Sequence, residues 1–188
     1  MHSNLIKYCS EFIELNEEDE LVIKNHFHKL SLKKKSFLLE AGRVCDFIAY
    51  IDSGIMRHYH IKDGNEITCD ITLPNSFVTD FKSFINSTPS TYYFQVLQKA
   101  EVFIINRKDI VRIYENNRKF ETLGRLMTEK TAQRVIDMAM TLASNKPEER
   151  VQKLLEQQPL LFQLVPQRYL ANMLGITPES FSRIRARR

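Results

Sequence analysis

The period of the apolar positions changes along this chain. Between Ser36 and Asn106 they fall into short runs, FLLE, FIAYI, IMRHYHI, EITCDITL, YYFQVL and EVFII, rich in β-branched and aromatic residues. Gly42, Gly54 and Lys62-Asp63-Gly64-Asn65 punctuate the runs, and the last of these predicts a hairpin. Strands this short and evenly spaced predict an antiparallel roll or barrel. Residues 1–30 read as helical. Asn16 stands ahead of Glu17, Glu18 and Asp19 as a helix start, with Leu21, Val22 and Phe27 as apolar positions. Lys33-Lys34-Lys35 interrupts this pattern and reads as a solvated loop or edge strand rather than a nucleic-acid contact.

Beyond the roll the pattern turns helical again. Arg107 to Glu115 predicts a short helix. Arg118 to Ser144 contains no Pro and one Gly, and Phe120, Leu123, Met127, Val135, Met138 and Leu142 recur at steps of three and four or their multiples. This predicts one long helix with a wide apolar face, of the kind that packs on its own domain and on a twin. The dimerisation positions expected on it are Phe120, Leu123, Met127, Val135 and Met138. Asn145-Lys146-Pro147 ends that helix and opens another, to Gln157; Pro159 to Val165 reads as a connector.

The segment from Pro166 to Arg188 reads PQRYLANMLGITPESFSRIRARR. Leu170, Ala171 and Leu174 share one face of a first short helix. Gly175 follows where a tight turn needs positive φ. Thr177-Pro178-Glu179 then opens a second helix, with a cap, a proline at the first position and an acid in the first turn. Phe181 and Ile184 face the same way. The layout is helix, glycine turn, helix, in which the second helix enters the DNA major groove.

Charge supports that reading. Arg168, Arg183, Arg185, Arg187 and Arg188 stand against Glu179 alone, and the whole chain is also +4, so the remaining residues balance to zero. A basic end on a neutral body is the footprint of a DNA reader. The composition, 43% hydrophobic over 188 residues, supports a real core in one large domain or two small ones. No apolar run is long enough for a membrane span, and the N-terminus lacks a signal-peptide core, so a cytoplasmic location is expected. Cys9, Cys45 and Cys69 are too far apart for a zinc knuckle and odd in number; they read as buried thiols.

The order roll, long helix, helix-turn-helix resembles the cyclic-AMP receptor protein/fumarate-nitrate regulator (Crp/Fnr) family of bacterial regulators. The resemblance rests on LLEAGRVCDFIAYIDSGIMRHY with Gly42, Tyr50-Ile51, Gly54 and Arg57, on the hairpin KDGNEITCDI, and on LGITPESFSRIR. It implies an α+β fold: an antiparallel β-roll of the cyclic-nucleotide-binding, jelly-roll type with flanking helices (1–115), a long dimerisation helix (116–144) and a DNA-binding domain (145–188). It also implies a homodimeric transcription factor on palindromic double-stranded DNA, with contact to RNA polymerase and a small effector in the roll as further partners. Arg183 and Glu179 match family positions that read bases, whereas Pro178 stands where the family usually has an arginine. Thr177, Ser180 and Ser182 are expected to touch phosphates or bases, and Gln167, Arg168 and Arg187 to hold the backbone.

Two departures from the family are visible. Many members continue into a small β-wing, and none is expected here. The family's cyclic-nucleotide cassette has Gly-Glu after an aromatic and Arg-Ser or Arg-Thr later. Aligned through Phe77 and Glu101-Val102, this chain has Thr79-Asp80-Phe81 and Ser90-Thr91 in the effector-pocket positions. Losing the charge-assisted phosphate contact removes about 1.5–3 kcal/mol, more than tenfold in affinity. Cyclic AMP is therefore not expected to bind, and both a different effector and none at all stay open. One N-terminal cysteine does not suit an iron–sulfur cluster, and no cofactor or metal is expected.

An enzyme reading would use His58-x-His60 and Glu66 as metal ligands, as in cupins, but no later histidine supplies a third imidazole. No enzyme activity is expected. A third reading is a roll that binds a protein or ligand and uses its basic end on DNA without sequence preference.

Overall fold

The computed structural model describes residues 2–186. Helices α1 (Ser3–Ser10) and α2 (Glu17–His26) precede the sheet. Asn16 opens α2 with a capping box: its side chain accepts from the Asp19 N–H, and Asp19 accepts from the Asn16 N–H. The predicted helical stretch ends at His26, because β1 (His28–Leu32) pairs antiparallel with the last strand of the roll. The lysine run lies in the tight turn before β2 (Phe37–Leu39).

Two pairs of predicted runs merge. FIAYI and IMRHYHI form the single strand β3 (Phe47–Lys62), and YYFQVL and EVFII form β6 (Tyr93–Asn106). Gly54 explains the merger. Its φ is 93°, and a Cβ there would lie 2.5 Å from the Ala100 Cα. The strands therefore cross too closely for any side chain. The register shifts on both sides of Ser53, and each strand bends across the roll instead of stopping. Strand β4 (Asn65–Thr72) returns from β3 through Asp63 and Gly64, both with positive φ (51° and 76°). That backbone suits a two-residue hairpin and bears out the hairpin signal. Strand β5 (Ser76–Val78) and the short helix α3 (Phe81–Asn86) complete the roll, with the sheet order β1-β6-β3-β4.

Helix α4 (Arg107–Asn116) leads to the long helix α5 (Arg118–Ser144), both within a residue of the sequence expectation. Next come α6 (Pro147–Gln157) and α7 (Pro159–Leu164), so the expected connector is itself a turn and a half of helix, opened by Pro159. Helices α8 (Gln167–Met173) and α9 (Pro178–Ala186) follow. Among the described residues no helix is long and apolar enough to cross a membrane.

Three apolar clusters hold the molecule together. One fills the roll around Met56, Val96 and Val102. A second joins α1, α2, α4 and the start of α5 to the roll through Leu5, Ile23, Phe103, Ile113 and Phe120. The third joins the C-terminal helices to the sheet: Ile55 and Ile71 pack with Leu161, Leu170 and Phe181. The β3–β4 pair is therefore a partition. Ile55, Arg57, Tyr59 and Ile71 face the C-terminal helices, whereas His58 and Thr72 face the roll interior.

Candidate nucleic-acid interface and the cavity behind it

The α8–α9 pair is built as the sequence implies. Gly175 has φ 67°, and the N–H of Ile176 bonds back to the Ala171 carbonyl at 3.0 Å. Arg150 on α6 clamps the turn by donating to the Leu174 carbonyl at 2.9 Å and, through Nε, to the Asn145 carbonyl. Phe181 is fully buried and stacks on Phe162, with ring centroids 5.6 Å apart. That fixes how α9 rolls, so its other face points outward. Glu179, Ser182, Arg183 and Arg185 are exposed there. Glu179, Ser182 and Arg183 fall on one face by helical spacing.

Several predicted contact residues have internal tasks. Thr177 Oγ1 accepts from the Ser180 N–H at 3.1 Å, so its hydroxyl caps α9. Ser180 Oγ accepts from Thr177 Oγ1 and from Arg183 Nη2. Gln167 is half-buried at the start of α8, and Arg168 is exposed, with its guanidinium over the Tyr169 ring. Arg187 lies outside the described residues.

Arg57 and Asn172 form a junction that sequence reasoning missed. Arg57 is 2% exposed, and its Nε donates to Thr68 Oγ1 at 2.9 Å and its Nη1 to Glu66 at 2.6 Å. Its guanidinium lies between the rings of Tyr59 (4.3 Å) and Tyr169 on α8 (4.0 Å). Asn172 Oδ1 accepts from the Thr68 N–H beside it. The roll thus holds the first helix of the pair through one desolvated cation and one backbone hydrogen bond. A lone arginine at an inward position of β3 was its signal in the sequence. Glu66 pairs with Arg57, which leaves His58-x-His60 without the acid the metal reading needed. The two rings are also engaged separately: His58 stacks on Phe94 at 4.2 Å, and His60 lies 3.2 Å from the Cys69 sulfur.

The other side of the partition holds a cavity of about 270 Å³ between the roll and α5. Its walls are apolar: Ile48, Phe77, Val78 and Ile105 from the roll, Ile113 from α4, and Phe120, Leu123 and Met127 from α5. Its polar lining comes from His58, Asp70, Thr72, Thr79, Tyr114, Thr128, Thr131 and Arg134. Arg134 donates two hydrogen bonds to the Asp70 carboxylate, at 3.0 and 2.6 Å, and these raise the guanidinium pKa further. Burial lowers the His58 pKa, so the ring is neutral at pH 7; its Nε2 lies 3.1 Å from Thr72 Oγ1.

Only part of the expected effector pocket reaches this cavity. Thr79 and Phe81 line it. Asp80 instead caps α3, accepting from the N–H groups of Lys82 and Ser83. Ser90 is buried in a loop, where its hydroxyl accepts from the Tyr92 N–H, and Thr91 is exposed. The cassette's place is filled by hydrogen bonds that hold the chain to itself.

The dimerisation positions also divide. Phe120 and Leu123 are buried against their own roll, and Met127 and Met138 pack partly against their own chain. Their stripe continues as Thr131, Arg134 and Thr141, turned toward the same chain. Val135 alone of the five is exposed, and with Ala132, Ile136, Ala139, Met140 and Ala143 it forms a second, outward stripe. The thiols divide similarly: Cys9 and Cys45 are buried, while Cys69 is exposed, contrary to expectation, because it sits at the register shift of β4. Burial pushes the Cys9 thiol up to about 12, so it stays protonated.

Comparison with known proteins agrees with this architecture. The family profile described as the cyclic nucleotide-binding domain matches residues 29–117. No curated protein matches the chain. FixK2 from Bradyrhizobium japonicum superposes with a TM-score of 0.72 at 17% identity, covering 86% of this chain and 83% of its own. The c-di-GMP responsive global regulator CLP of Xanthomonas campestris gives 0.70 at 15% identity over 92% and 91%. A Crp/Fnr-family regulator from Eubacterium rectale gives 0.69 at 16% identity over 95% and 85%. Residues 29–117 therefore resemble a cyclic nucleotide-binding domain, and the chain is built on the fold of the solved Crp/Fnr regulators.

Proposed function

We propose that the protein is a DNA-binding transcription regulator that works as a homodimer. The observation that carries the reading is α9: it is locked by Phe181 and Thr177, and its free face presents Glu179, Ser182, Arg183 and Arg185 to solvent. Arg183 would reach guanine O6 and N7 in bidentate fashion, and Glu179 would accept from cytosine N4. Arg168 and Gln167 would hold the phosphate backbone, with Ser180, Ser182 and the outlying Arg187 adding contacts. Two copies would pair along the outward stripe of α5 and place their α9 helices in successive major grooves, about 34 Å apart, on a palindrome.

The test is selection of bound DNA from a random pool. A palindrome with half-sites about one helical turn apart is expected. Arg183→Ala should weaken binding to it by roughly 1–3 kcal/mol and relax the choice at one base pair per half-site. An unchanged selected motif would rule α9 out as the reading helix.

Effector control by a cyclic nucleotide has no support in the roll: Asp80 and Ser90 are committed to their own backbone, and no arginine stands at the cassette position. Any effector would act by shifting the dimer between DNA-competent and incompetent arrangements.

A further inference from the structure

We propose that Arg57 is a positioning residue for DNA recognition: with Asn172 it locks the α8–α9 pair to the roll in one orientation, and so fixes the half-site spacing that the dimer accepts. The lock rests on the regulator reading, and the two can fail separately.

The covalent link does not fix that orientation by itself. Asn145 and Lys146 join α5 to α6, and both are extended, with ψ 147° and 159°. A helix running through this point would carry its direction rigidly, whereas an extended link lets the C-terminal helices swing as a body. The apolar seam of Ile55, Ile71, Leu161, Leu170 and Phe181 limits the swing, but apolar burial is non-directional. Lys153 donates to Thr141 Oγ1, and Gln98 to the Leu164 carbonyl at 3.2 Å. Both contacts end on flexible stems.

Arg57 and Asn172 supply direction. Arg57 Nε and Nη1 donate to Thr68 Oγ1 at 2.9 Å and to Glu66 at 2.6 Å, so β4 sets how the guanidinium plane stands. Tyr169 of α8 lies over that plane at 4.0 Å, and Tyr59 of β3 at 4.3 Å. A planar guanidinium stacked on a ring constrains tilt as well as distance. Asn172 lies three residues further along α8, on the same face, and accepts from the Thr68 N–H. Helix α8 is therefore held at both Tyr169 and Asn172, which resists rolling and sliding together. The Tyr169 ring also carries the Arg168 guanidinium at 4.8 Å, and Arg168 Nη2 donates to the Tyr169 hydroxyl at 3.0 Å. A line of contacts thus runs from the roll to a residue assigned to the phosphate backbone.

The chemistry of the lock favours geometry over stability. The Arg57 side chain is 2% exposed. Desolvating a cation offsets most of what its pairing gains, and apolar residues of like volume hold such seams equally well. What the ion adds is a defined arrangement. The lock also leaves the reading face free, since Arg168, Glu179, Ser182, Arg183 and Arg185 are exposed with Arg57 in place. It orients the pair rather than covering it.

In a dimer the two locks set the separation and relative turn of the two α9 helices. One base pair more or less between half-sites shifts them by about 3.4 Å and turns them by about 34° around the DNA axis. A locked dimer cannot follow that change without breaking the Arg57 contacts, and an unlocked one can.

The test measures the affinity of the full chain for its selected palindrome and for versions with one base pair added to or removed from the centre. Wild type should lose about tenfold on either change, comparable to one mismatched base pair. Arg57→Met keeps an unbranched side chain between the two rings but loses the plane and its donors. Its loss should shrink to about threefold or less, and selection should return the same half-site bases at mixed spacings. Asn172→Ala should relax the spacing in the same way, and it carries the test if Arg57→Met folds poorly. Asn172→Asp keeps an acceptor for the Thr68 N–H and should restore the strict spacing. A residue that only stabilised the fold would lower affinity for all three spacings alike. A spacing preference that survives in both Arg57→Met and Asn172→Ala, or a wild type indifferent to spacing, overturns the proposal and leaves the regulator reading standing. Tighter binding of the original palindrome by either variant also overturns it, because the lock would then hold the pair away from DNA. A wild type that selects no palindrome overturns the regulator reading, and the lock with it.

Discussion

The two halves of α5 share one helix and one amphipathic pattern but meet different surroundings. The first half, Arg118 to Met127, is anchored: Phe120 is 5% exposed and Leu123 6%, both against the roll. The second half exposes Val135 (56%), Ile136 (56%) and Met140 (60%), with alanines between them. An isolated apolar residue on a surface needs no explanation, but a stripe at three- and four-residue steps along three turns does. The small alanines would allow a twin helix close approach. The first half therefore carries the stability of the subunit, and the second leaves an apolar stripe open to the pairing proposed above.

The sharpest way to break that contrast is to delete the anchor. Phe120→Ala should cost about 3–5 kcal/mol of subunit stability, because it removes a buried ring and opens space beside a cavity that already exists. Chemical denaturation read by circular dichroism would show it as a lower midpoint. A loss under about 1 kcal/mol would mean that this half of the helix is not an anchor.

The second half should respond in the opposite sense. The double substitution Val135→Asp/Ile136→Asp places charges on an exposed surface, so the subunit's own stability should change by no more than about 0.5 kcal/mol per site. In a dimer the same carboxylates would be buried in the seam, and the dissociation constant should rise at least about 30-fold, roughly 2 kcal/mol. Sedimentation across a concentration series separates the two effects, and affinity for a palindrome should fall in step. Dimers that persist in the double variant would place the seam elsewhere.

The contrast also shows what the sequence could disclose. The bounds of α5, the hairpin at Asp63-Gly64 and the Gly175 turn were legible because each depends on local chemistry: an uninterrupted period, a positive φ, a cap. The partner of a given face was not legible. The stripe from Phe120 to Met138 reads as a dimer seam from its period alone, yet its own roll covers most of it. Periodicity reports that a face is buried, not what buries it. The same limit applied at the site. The outward residues of α9 were readable from their spacing, whereas the cavity depends on Asp70 and Arg134, 64 residues apart in sequence, meeting across it. The merging of four predicted runs into β3 and β6 likewise depended on a close crossing of Gly54 and Ala100.

The smallest effect tests how the anchored half is held at its start. Lys119 donates to the Asp19 carboxylate at 2.7 Å, and the Asn117 amide and the Asn16 N–H donate to the same group, which is 4% exposed. Burial pushes the Asp19 pKa up, but these donors outweigh it and the net shift is downward. The folded protein therefore gives up this proton more readily than the unfolded chain. Between the two pKa values the unfolded state binds more protons, so stability rises with pH there. The contribution is fully present above about pH 4, the unfolded value, and is lost as pH falls through the folded one. Asp19→Asn should cost about 1–2 kcal/mol at pH 7, since the amide keeps part of the capping geometry but loses the charge that Lys119 meets. It should also flatten the acid limb of the stability curve. Equilibrium unfolding at pH 7 and at pH 3 would show the difference between wild type and variant shrinking toward acid. A gap that is constant with pH would assign the Asp19 contribution to geometry alone, with no part for its charge at the start of α5.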